Sequence, residues 1–191
     1  MASIKHIALL LLSIFLAVSL NCQSSVVATN LNMPLYLDSL LTIAITAIFG
    51  LYSGIAVALL SNATLFFFGY SMPLFIFCHI LTAVFAHVTF LYYRKKEEEK
   101  DLSAEIFLWA GLWSAFANGF FGNIISQVLY SFTENPKVDN MVQGIYIATK
   151  SLTFATHFVG YITNLIDKMI SAILSFFVYK IVTLIKSHFS L

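Results

Sequence analysis

The sequence predicts an all-α membrane protein: a six-helix transmembrane bundle with an extra segment, partly re-entrant or surface-lying, before the last helix. Three observations carry that expectation. Hydrophobic residues make up 60% of the 191 and charged residues only 10%, whereas soluble domains carry about a quarter charged. Apolar runs long enough to cross a bilayer recur along the chain, and the mean hydropathy is +0.89. Eight of the 19 charged residues are gathered into one cluster, "RKKEEEKD" at 94–101. Lipid must therefore be the solvent for most of the surface, and the chain reads as one integral membrane domain, 1–191.

Each element follows from length and punctuation. "MASIKHIALLLLSIFLAVSLNCQSS" has a basic start and an apolar run, the look of a signal peptide. Apolarity resumes at Val26, which places a first helix over 4–28 and leaves cleavage as the alternative. Residues 35–68 as one helix would measure roughly 50 Å, against a hydrocarbon core of ~30 Å. Gly50 and Gly54 allow a turn, giving helices over 35–49 and 52–68. Pro73 suits a helix start and opens a span over 73–93. Ser103 can cap the next, with Glu105 in its first turn, over 104–130. "TENPKVDN" reads as a polar loop. Residues 141–161 carry Lys150, His157 and several hydroxyls, the extra segment of the fold. Asn164 then begins a last span over 164–186.

Basic residues orient the bundle. An inside N-terminus places Lys5, Arg94, Lys95, Lys96, Lys100, Lys180 and Lys186 in the cytoplasm, with Lys137, Lys150 and Lys168 outside. Both termini are then cytoplasmic. A five-span chain with an outside N-terminus is the competing count.

In that frame the polar side chains gather toward the outer half. Asp38 stands one turn inside the external face. It either offsets a helix dipole or touches a ligand. Asn62, His79 and, two turns deeper, His87 follow on the next helices. Asn118 lies near the middle of the fifth span, with Asn123, Ser126, Gln127 and Tyr130 as an outer stripe. His157, Asn164, Asp167 and Lys168 complete the set. Asn164 and Asp167 resemble a capping pair, and Lys168 has the stem to snorkel. The asymmetry points to a pocket open to the exterior that takes a small polar solute between helices.

Several chemistries are not expected. A net charge of +1 gives no reason for a nucleic-acid partner. Cys22 and Cys78 show neither disulfide nor metal-ligand spacing. No phosphate-binding Gly-x-x-x-x-Gly-Lys-Ser/Thr and no His-Glu-x-x-His occurs. No enzyme, catalytic residue, cofactor or metal is therefore expected. A transporter subunit, a sensory membrane domain working with a separate signalling partner, and an intramembrane metal enzyme remain open, the last on His79, His87 and His157 alone. Small residues at helical spacing, among them Ser13 and Ala17, permit close helix approach.

"MPLYLDSLLTIAITAIFGLYSGIAVALLSN", residues 33–62, resembles the second and third helices of the substrate-binding S components of energy-coupling factor transporters. Asp38-Ser39, the glycine turn Gly50 to Gly54, and the exit Leu60 to Asn62 follow in that family's order. "NLIDKMISAILSFFVYK", residues 164–180, is similar to the Asp-Lys start of its last helix. The first helix departs from the family, offering Ser13-x-x-x-Ala17 where Ala-x-x-x-Ala is common. The resemblance implies a multi-pass protein of a bacterial or archaeal cell membrane. It would capture a vitamin or related micronutrient from outside and work with a transmembrane coupling protein and two ATPase subunits. It further implies Tyr36, Asp38, Asn62, His79, Asn123, His157 and Asp167 as substrate contacts, and Ser13 and Ala17 as a docking face.

Overall fold

The computed structural model describes residues 4–97, 101–130 and 135–189. Seven α-helices occur among them: α1 (Ile4–Asn30), α2 (Leu40–Phe49), α3 (Leu51–Phe67), α4 (Ile76–Glu97), α5 (Ala104–Ile125), α6 (Pro136–Thr149) and α7 (Leu152–Phe189). A 3-10 turn at Pro73–Phe75 leads into α4, and a π-helical turn at Ser126–Tyr130 extends α5. No strand occurs among the described residues.

Three helical stretches are long and apolar enough to cross a membrane: His6–Asn30, Pro73–Lys95 and Leu152–Ile185. Large apolar side chains stand on the outside of the bundle, Phe15 and Phe67 among them. That is the surface of a protein dissolved in lipid. The expectation of six crossings is met only in this coarser form: α2 and α3 are apolar but short, at 10 and 17 residues, and α5 is not among the three.

The chain does reverse at the glycines. Gly50 has φ +89° and caps both the end of α2 and the start of α3, a conformation that costs glycine little. The side-chain amide of Asn21 on α1 donates to both Thr42 Oγ1 and Ser61 Oγ, each at 3.2 Å. In a straight helix those two residues would stand roughly 28 Å apart. α2 and α3 therefore lie side by side as a hairpin.

α5 and α7 form the centre of the bundle. A methyl group at Gly111 would come within 2.8 Å of the Lys168 carbonyl oxygen, so the missing side chain is what lets the helices close. One end of this centre is an apolar core in which Phe90, Leu102, Phe107 and Tyr179 are buried together. Phe90 and Phe107 lie 4.8 Å apart between ring centroids, with Phe176 and Tyr179 within 5.7 Å of Phe107.

Two expectations about the C-terminal third are corrected. Of the expected loop "TENPKVDN", residues 133–134 lie outside the described residues and the rest is no loop: Asn135 caps α6, its side chain accepting from the Lys137 N–H at 2.9 Å, and Pro136 occupies the first turn. The last helix begins at Leu152 rather than Asn164 and runs for 38 residues. What separates it from α6 is Lys150 in the left-handed region, φ 56°. Residues 141–161 are thus the end of α6 and the first turns of α7. The pair packs through Val138, Val142, Ala155 and Val159.

Candidate functional site

Four ionisable side chains meet where the segment before α2 crosses α4 and α7. Asp38 Oδ2 lies 3.0 Å from His79 Nε2, and its Oδ1 lies 3.3 Å from Lys168 Nζ. Lys168 also donates to Asp167 Oδ2 at 2.8 Å and to Ser39 Oγ at 2.6 Å. Asp167 Oδ1 accepts the backbone N–H of Tyr36 and of Leu37, at 3.0 and 2.7 Å. All four side chains are buried. Burial of single charges would be prohibitive, and pairing with full hydrogen bonding offsets that cost.

Local structure explains how they meet. Adjacent residues on a helix diverge by about 100°, so Lys168 curls back along its own stem to reach Asp167. Leu37 takes φ 47°, a conformation unfavourable for a branched side chain. The Asp167 carboxylate holds it there. Ser39 precedes α2 but makes no side-chain cap, its hydroxyl being engaged by Lys168. Asn21 Oδ1 caps the helix instead, accepting from the Leu41 N–H at 2.8 Å. Asn135 Nδ2 donates to the carbonyls of Met33 and Leu35, at 2.9 and 3.1 Å. The lead-in 33–39 is thereby tied to both α6 and α7.

Beside this cluster lies a cavity of about 30 Å³, room for about two waters. Asp38, His79 and Lys168 line it together with Asn118, Gly122, Asn123, Ser126 and Asn164. Tyr36, Phe75 and Cys78 complete the wall. Asn118 Nδ2 donates to Thr82 Oγ1 at 2.8 Å. Asn123 approaches His157, its Nδ2 3.4 Å from both Nδ1 and the carbonyl oxygen.

The structure brings together Tyr36, Asp38, His79 and Asn123 among the residues singled out from sequence. Asp167 and His157 stand one layer behind, holding cavity residues rather than lining it. Asn62 falls elsewhere: it is buried and donates to Ser71 Oγ at 2.7 Å, tying the end of α3 to the following turn. Ala17 packs inward with Leu41, Ala44 and Val57, and Ser13 is half-buried, so Ala17 is already covered by α2 and α3. Asn164 is no helix cap; it lies inside α7 and donates to the Gly160 carbonyl at 2.8 Å. Lys168 does not snorkel, for its ammonium is buried among the two aspartates. His87 is half-buried on α4 and is not on the cavity wall. Sequence reasoning passed over Asn21 and Asn135; an asparagine inside or just before an apolar helix was the available signal.

Fold and site together define an all-helical membrane protein with an ionic cluster and a small polar cavity buried between its helices. In comparisons with protein families, with curated proteins and with solved structures, nothing matches the chain.

Proposed function

We propose that this chain is the solute-capture subunit of a membrane importer of the energy-coupling factor type. In this reading it binds a vitamin or similar micronutrient from outside a bacterial or archaeal cell, with both termini in the cytoplasm. α1, the two arms of the α2–α3 hairpin, α4, α5 and α7 are its six crossings. A transmembrane coupling protein and two ATPase subunits supply the energy. The observation that carries the reading is the polar cavity walled by Asp38, His79, Asn118 and Lys168 inside an otherwise apolar bundle. Buried ionisable groups are costly in lipid and mark solute paths. The cavity as it stands is smaller than a vitamin, so capture requires its wall to open.

Purifying the protein without added solute, then identifying by mass spectrometry what denaturation releases, tests this. The expected result is one organic solute per protein, at least about tenfold depleted in Asp38→Ala, which still inserts in the membrane. A solute-free protein, or an equal load in the variant, counts against it.

A further inference from the structure

The cavity's hydrogen bonds indicate which solute chemistry suits it. An ammonium group has three donors, and Lys168 directs its three to Asp38, Asp167 and Ser39. The Thr82 hydroxyl gives its one proton to the Cys78 carbonyl at 3.1 Å. It can therefore only accept from Asn118, whose Nδ2 it meets at 2.8 Å. That fixes the amide. Asn118 Oδ1 is left buried, without a hydrogen-bond partner, on a residue of the cavity wall. Asn164 is fixed in the same way, its Nδ2 on the Gly160 carbonyl, which can only accept; its amide oxygen is left over.

The wall thus presents a buried acceptor, Asn118 Oδ1, that no donor answers. The charge points the same way. Asp38 and Asp167 bring two carboxylates against the single ammonium of Lys168, and His79 also pairs with Asp38, so a neutral His79 leaves the cluster with one negative charge in excess. A carboxylate or phosphate arriving here would meet two aspartates and an ammonium with no donor left to give. An N–H donor would complete Asn118, since a buried acceptor left unmatched is costly.

We propose that the cavity selects a hydrogen-bond donor carrying positive charge: a small protonated amine, or the ammonium end of a larger amine solute. The inference rests on the solute-capture reading and adds the class of solute.

The test uses the full-length protein in lipid nanodiscs, followed by thermal unfolding. The probes are methylammonium chloride, sodium formate and sodium chloride at matched ionic strength. Methylammonium is expected to raise Tm saturably, and formate to do no more than chloride. Asn118→Leu should weaken the methylammonium midpoint by about tenfold or more, as loss of a charge-assisted hydrogen bond does. If that variant does not fold, Asn118→Asp keeps the shape and should tighten the midpoint instead. Formate acting as well as methylammonium, methylammonium acting no better than sodium chloride, or midpoints indifferent to residue 118 would overturn the proposal. An anionic co-purified solute would overturn it while leaving the capture reading intact. No probe response together with no co-purified solute would overturn both.

Discussion

The bundle has two buried centres of opposite character. At one, Phe90, Phe107, Phe176 and Tyr179 pack ring against ring. At the other, Asp38, His79, Asp167 and Lys168 pack charge against charge. Both draw on α4 and α7, and Phe107 and Lys168 are both buried. The aromatic centre needs only close contact, which tolerates small shifts. The ionic centre needs every donor matched, and one missing partner strands the rest. In lipid the contrast sharpens: aromatic side chains gain little by leaving an apolar solvent, whereas an unmatched charge has no water to fall back on.

Breaking the ionic centre should therefore cost most. Lys168→Ala removes the shared partner of two carboxylates. It is expected to destabilise by about 3–5 kcal/mol, read as a lower unfolding midpoint in detergent or nanodiscs. Phe107→Ala should cost less, about 2 kcal/mol, because the transfer part of the usual penalty falls away in lipid and the cavity part remains. A larger loss for Phe107→Ala than for Lys168→Ala would reverse the ranking of the two centres. The weakest effect is expected outside both. Lys180 and Asp101 pair at 3.5 Å, with their side chains 40% and 66% exposed, so Lys180→Ala should change stability by less than about 1 kcal/mol. A larger change there would mean that surface pairing, not burial, governs this protein.

The legible parts of the sequence were those set by apolar length and by glycine. Helix positions through residue 125, the reversal at Gly50 and the polar gathering around Asp38 and His79 all follow from composition along the chain. The helix expected over 35–49 begins only at Leu40, after an irregular lead-in, and the larger error lay at another boundary. Reading Asn164 as a helix start put Lys168 near an interface, where snorkelling is the natural fate of a lysine. With α7 beginning at Leu152, roughly 57 Å long, Lys168 sits near its middle and must be paired. Of the polar residues that made 141–161 look unsuited to a span, Thr156 is buried and His157 meets Asn123, while Thr149, Ser151 and Thr153 are exposed. Periodicity could not reveal this, since a polar residue facing a partner and one facing water look alike in sequence. Nor could it reveal Asn135, whose contacts to Met33 and Leu35 span a hundred residues.

Asn21 carries a consequence for how the chain is made. Its amide is matched only by Leu41, Thr42 and Ser61, all synthesised after it. Until they emerge, the first helix carries an unanswered amide, and nothing later in the chain is needed to answer it. The hydrogen bonds of Asn21 are thus completed within the opening third of the protein, whereas the lead-in 33–39 in the same third must wait for Asn135, Asp167 and Lys168.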